Sequence, residues 1–164
     1  MNQAAANAAS EGGSQYLTFL CAGEEYGVDI LRVQEIKGWD GVTRVPYAPS
    51  YLLGVMNLRG VIVPVIDLRQ RFGLEKRAAD SSTVVVVVRV RGERAEKTAG
   101  IVVDAVSDVY SIPQEAMKPT PLGGENGACV RGLATVAEKM VMLLDIDELV
   151  ANSIETDAPS LPVA

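Results

Sequence analysis

Gly54-Val55-Met56-Asn57-Leu58-Arg59-Gly60 runs directly into Val61-Ile62-Val63-Pro64-Val65-Ile66-Asp67-Leu68, and the rest of the chain is organised around this stretch. Two glycines bracket an asparagine and a solitary arginine. The pattern predicts a tight turn that carries a charged side chain across an apolar background and then enters a strand at 61–67. Pro64 cannot donate to a ladder, which places that strand at an edge or a bulge. An arginine in such a setting either snorkels to solvent beside the strand or is held there for a partner.

Outward from this stretch, strand signals dominate. Upstream, Tyr16 to Ala22 is an apolar run closed by Gly23-Glu24-Glu25, after which Tyr26, Val28 and Ile30 alternate with Glu25, Gly27 and Asp29, a predicted hairpin. Ile30 to Ile36 satisfies either period and is read as a strand with an irregular start, interrupted by Gly38 and Gly41. Pro49 to Leu53 is expected to be a short helical turn that delivers the chain to Gly54. Downstream, Leu68–Phe72 predicts a short helix stopped by Gly73, and Glu75 to Ser82 a loop. The five consecutive valines Val84–Val88 predict a strand buried on both faces. Arg91 to Lys97 reads as a charged hairpin loop, Ala99 to Val106 as the returning partner, and Val109–Ile112 as a further short strand. Met117 to Gly124 is a proline- and glycine-rich surface loop. Val130–Val136 and Met140–Ile146 predict a last hairpin, with one helical turn from Asp147 to Val150. Residues 1–15 and 151–164 have the composition of disordered tails. The fold class is therefore all-β, a barrel or sandwich of short strands with a few helical turns, and its length suits two barrel-sized halves meeting around residue 80.

Composition narrows the chemistry. The 164 residues are 48% apolar and carry a net charge of -6, a field that repels phosphate backbones, so no nucleic acid ligand is expected. There is no histidine, which removes the commonest general base and metal ligand. Cys21 and Cys129 are widely separated in apolar or small-residue surroundings and read as buried reduced thiols, in keeping with the cytoplasm. The N-terminal residues do not form a signal peptide, and no apolar stretch reaches membrane-spanning length, so no direct membrane insertion is expected. Asp145-Ile146-Asp147-Glu148 lacks the spacing of a calcium loop, and Asp147 is expected to cap the following helical turn. Gly123, Gly124 and Gly127 are not followed by Lys-Ser/Thr and cradle no phosphate. No catalytic residue, metal or cofactor is expected. What remains is Glu35, Asn57 and Arg59 amid apolar residues, the make-up of a protein interface.

The succession Glu24-Glu25-Tyr26-Gly27-Val28-Asp29-Ile30-Leu31, Val33-Gln34-Glu35-Ile36, Gly54 to Arg69, and Gly100-Ile101-Val102-Val103-Asp104-Ala105-Val106-Ser107-Asp108-Val109 resembles the CheW family of chemotaxis adaptors, collinearly over about Tyr16 to Val150. The resemblance implies two SH3-like five-stranded β-barrel subdomains packed together over residues 16–150. It implies a non-catalytic adaptor that couples membrane chemoreceptors to the histidine kinase CheA, cytoplasmic and recruited to receptor arrays. Receptor tips are expected against Val33, Glu35, Gly54, Asn57 and Arg59, with Glu35 and Arg59 paired. The kinase's regulatory domain is expected near Ile30, Ile62 and Val84. A second kinase or ring contact with other CheW-like domains is expected at Lys118 to Leu122, where the family often carries an aromatic residue and this chain has Leu122. The same fold occurs as CheA's regulatory domain and as the first half of CheV. Other readings are a CheW-like module of another chemosensory pathway and a small β-barrel ligand-binding domain.

Overall fold

The computed structural model describes residues 14–91, 95–120 and 129–154. Among them run ten strands: β1 (Ser14–Cys21), β2 (Glu24–Asp29), β3 (Val33–Gly38), β4 (Leu52–Leu58), β5 (Val61–Asp67), β6 (Val84–Arg91), β7 (Glu96–Val103), β8 (Ala105–Ile112), β9 (Val130–Val136) and β10 (Lys139–Leu144). Two short helices follow strands, α1 (Leu68–Arg71) after β5 and α2 (Ile146–Ile154) after β10. The strands form two five-stranded sheets, ordered β8-β1-β2-β10-β9 and β3-β6-β7-β5-β4. The all-β expectation with two five-stranded units holds.

The division at residue 80 does not. One sheet is inserted whole, as β3 to β7, while the other is assembled from both ends of the chain, β1 and β2 joining β8, β9 and β10. We call these the inserted and terminal units. The expectation failed because the deciding pairs, β10 with β2 and β7 with β5, are parallel and leave no turn signature.

The two sheets share one pairing scheme, with β8, β9, β10, β1 and β2 standing in for β3, β4, β5, β6 and β7. The likeness extends to single residues. The turn between β4 and β5 is Arg59-Gly60 and that between β9 and β10 is Ala137-Glu138, with all four residues at positive φ, as a two-residue type I′ hairpin needs. Gly54 and Gly132 hold matching places beside the isolated bridges Thr43–Val55 and Lys118–Leu133. Asp67 and Asp145 each stand just before a helix.

The valine run shows why so apolar a strand is needed. Val86, Val88 and Val90 enter a core shared by the two units, against Leu17, Phe19, Val28 and Ile101, whereas Val85 and Val87 face the inserted unit's own small core with Leu58 and Val63. Tyr16, Ile112, Ala134, Val141 and Leu143 fill the corresponding core of the terminal unit. Each such buried aliphatic side chain contributes about 1.5–3 kcal/mol by leaving water, so β6 serves two cores at once.

Several boundaries differ from those expected. Leu52 N–H donates to Pro49 O at 3.0 Å, so residues 49–52 form a single turn and Gly54 lies inside β4. β5 is flanked by β4 and β7 and is no edge; Pro64 pairs with Val55 one residue before the parallel ladder to β7 begins at Val65. β8 already starts at Ala105 and contains the strand expected at Val109. Arg91 pairs with Glu96, which shortens the charged loop; residues 92–94 lie outside the described residues. β1 begins at Ser14 and α2 continues to Ile154, beyond the ends predicted for the ordered region, while the remaining tail residues 1–13 and 155–164 lie outside the described residues.

Candidate functional site

β3 and β4 are the two edges of the inserted sheet, and Glu35 on β3 meets the β4–β5 turn through an ion pair. Arg59 Nη2 bonds Glu35 Oε2, and Nη1 lies 3.5 Å from Oε1. The left-handed conformation of Arg59, φ 51°, is imposed by the two-residue turn. Asn57 holds that turn: its side-chain Oδ1 accepts the Gly60 N–H at 2.9 Å. Two-thirds of the Arg59 side chain is exposed, at 67% against 26% for Glu35, so the pair contributes at most about 1 kcal/mol to stability. Its value lies in holding a guanidinium and a carboxylate at fixed places on the surface.

Gly54 plays a different part from the others. It is buried, and a Cβ there would come within 2.2 Å of the Thr43 carbonyl oxygen. Thr43 and Val55 exchange two backbone hydrogen bonds of 2.8 Å, so the missing side chain makes room for the chain's own segment 42–44. Beside it opens a cleft of about 380 Å³ lined by Lys37, Asp40, Thr43, Val55, Met56 and Asn57, between the two sheet edges. Val33 is half-buried against the shared core.

Among the residues expected to face a kinase, Ile62 is 61% exposed beside Val61 at 54%. Ile30 and Val84 are half-buried against the shared core and do not lie together: the 3-10 turn Ile30–Arg32 precedes Val33, which pairs with Val88, whereas Val84 pairs with Gly38 at the far end of the same ladder. Lys118 is exposed and forms a two-bond bridge with Leu133. Leu122 lies outside the described residues.

Asp147 does not cap α2. Asp145 does so, its Oδ1 accepting the Glu148 N–H at 3.1 Å, and Asp147 instead takes both Arg32 guanidinium nitrogens at 2.8 and 2.7 Å and the Arg91 N–H at 2.8 Å. Burial alone raises the Asp147 carboxyl, but the Arg32 and Arg91 N–H groups carry it below the usual carboxylate range. A second such pair, Arg69 with Asp104, also went unassigned in the sequence. The Arg69 hydrogen bond is the main cause holding the Asp104 carboxyl below its ordinary value, with the Ala22 N–H and Arg77 assisting against burial. The signal was present as Asp67-Leu68-Arg69 and Asp145-Ile146-Asp147, a capping acid followed two residues later by a charge.

Both cysteines are buried and outside any disulfide, as expected. Burial, with Asp104 nearby, pushes the Cys21 thiol up to about 12, so it is neutral and unreactive at physiological pH. Arg71 Nη2 approaches the Cys129 sulfur at 3.6 Å in the interior. Among the described residues no group of three Cys, Asp or Glu is placed to hold a metal, and no helix is long and apolar enough to cross a membrane.

The CheW-like domain family matches residues 15–153. The chemotaxis protein CheW of Klebsiella aerogenes is 44% identical over 142 residues, covering 85% of this chain and 83% of that protein. The probable chemotaxis protein CheW of Rhizobium etli is 33% identical over 88% of this chain and 92% of its own length. The crystal structure of the scaffolding protein TtCheW from Thermoanaerobacter tengcongensis superposes with a TM-score of 0.76 at 34% identity, covering 84% of this chain and 92% of that one.

Proposed function

This chain belongs to the CheW-like domain family, and from that premise we propose that it is a non-catalytic adaptor that couples chemoreceptors to the histidine kinase CheA. The observation that carries the reading is the Glu35–Arg59 pair, a charge pair set rigidly at the seam between two sheet edges, beside an open cleft and the exposed Val61 and Ile62. Such a surface offers apolar contact area with charges at defined positions, the make-up of a protein interface.

In this reading the receptor's cytoplasmic tip lies against Val33, Glu35, Asn57 and Arg59. Gly54 acts from behind by seating segment 42–44, and Asn57 also holds the turn. The kinase's regulatory domain meets Ile62, with Ile30 and Val84 as support, and a second kinase or ring contact falls at Lys118 to Leu122. The protein works in the cytoplasm on membrane-associated arrays.

The test is co-capture of a CheA fragment and a receptor signalling-tip fragment by the purified chain, followed by titration of each fragment. Arg59→Ala and Glu35→Ala are expected to weaken tip binding at least tenfold while the unfolding midpoint stays near that of the parent. Failure of the parent to capture either fragment overturns the adaptor reading.

A further inference from the structure

The chain crosses between the two units at two places, outward through Ile30–Arg32 and back through Asp104. Each crossing is gripped by a fork-to-carboxylate pair. At the first, Arg32 binds Asp147 through both nitrogens and also donates to Arg89 O at 3.0 Å, while Asp147 takes the Arg91 N–H. At the second, Asp104 receives Arg69 Nε at 3.0 Å and Nη2 at 2.7 Å, the Ala22 N–H at 2.9 Å and Arg77 Nη1 at 3.2 Å. Both pairs are largely out of water, the side chains being 23% and 29% exposed in one and 16% each in the other.

The helix partners, Arg69 and Asp147, hold the same position in the repeat: each is the second residue after its capping aspartate, in α1 and α2. The crossing partners, Asp104 and Arg32, likewise follow equivalent strands, β7 and β2. The charges are reversed between the two clamps. In one the helix supplies the cation and the crossing the anion; in the other the roles are exchanged.

We propose that Arg32–Asp147 and Arg69–Asp104 are positioning pairs that fix the angle between the units. Each pair ties together the ends of two parallel neighbours of one sheet, β2 with β10 and β7 with β5, and from there reaches the backbone of the other unit: Arg32 donates to Arg89 O, the Arg91 N–H to Asp147, and the Ala22 N–H to Asp104. Bidentate geometry adds direction to the attraction, which a hydrophobic core shared by two similar sheets does not supply by itself. The cleft of about 340 Å³ lined by Val28, Arg32, Arg91, Leu144 and Asp147 lies at the first clamp, so its shape follows the same angle. The consequence for receptor-tip binding rests on the adaptor reading.

The experiment uses the full chain with cysteines introduced at two exposed positions, Lys97→Cys in the inserted unit and Thr135→Cys in the terminal unit, each carrying a spin label. The parent is expected to give one narrow distance distribution. Arg32→Met and Arg69→Met each are expected to widen it at least twofold, and together more, with far-ultraviolet dichroism unchanged. The milder Arg32→Lys and Arg69→Lys keep the charge but lose the fork, widen the distribution less, and carry the test if a Met variant does not fold. Folded variants with the parent's distribution overturn the proposal. Tip binding is read separately: a widened distribution with unchanged tip affinity sustains the clamps and removes their role in docking, whereas loss of binding by the parent itself concerns only the adaptor reading.

Discussion

Gly54 and Gly60 bracket the same motif for opposite reasons. At Gly60 a methyl group meets nothing within 4 Å, and the constraint is φ 89°; at Gly54 it meets the Thr43 carbonyl at 2.2 Å. Gly60→Ala is therefore expected to cost about 1 kcal/mol from backbone strain. Gly54→Ala is expected to cost about 3 kcal/mol because backbone has to move. Urea unfolding of the two variants gives the ordering, and equal losses would sink the distinction. Asn57→Asp keeps an acceptor for the Gly60 N–H and is expected to preserve tip binding better than Asn57→Ala, as titration of the tip fragment will read. Sequence alone marked all these residues but could not separate their parts. Whether a glycine serves a turn or a close approach depends on which distant segment arrives beside it, and Thr43 arrives through a bridge with no local signature.

At the scale of elements, the clamps give the fold an acid-sensitive component. Asp104 faces Arg69, Arg77 and, through Arg77, Asp80, with the neutral Cys21 thiol nearby. Its folded-state pKa is lowered from 3.8, so the stabilisation is complete above that value and is lost as pH falls through the lower folded value. Asp104→Asn is expected to lose about 2 kcal/mol at pH 7 and to flatten the acid limb of a stability profile measured by urea unfolding from pH 7 to 2.5. An unaltered acid limb would place the sensitivity elsewhere. The hairpins β1–β2, β6–β7 and β9–β10 were readable because apolar runs flank their turns, and β6 because five consecutive valines leave neither face of the strand polar. Two features were not readable. Asp145 and Asp147 are both acids near a helix start, and only tertiary contact with Arg32 decides which one caps. Pro49 to Leu53 carries a legitimate helix-start proline, yet pairing of Leu52 with Ile66 draws the segment into β4.

For the whole molecule, the sheet order determines which fragments can fold. A cut at residue 80, between helix α1 and strand β6, separates β6 and β7 from β3, β4 and β5 and also splits the terminal sheet. Fragments 1–80 and 81–164 are each expected to lack cooperative unfolding by circular dichroism, and to regain it on mixing if complementation succeeds. Cooperative melting of either fragment alone would contradict the shared core that joins Phe19 and Val28 to Val86 and Ile101.

The same interleaving imposes an order during synthesis. The inserted unit has all five of its strands once Val103 has left the ribosome, whereas β1 and β2 have only each other until β8, β9 and β10 follow. A lone hairpin is marginal in water, so the first strands made are among the last to be secured. Their apolar residues Leu17, Phe19 and Val28 then wait on the nascent chain, with the inserted unit's face of Val86 and Val88 as the surface that can shelter them until the chain is complete.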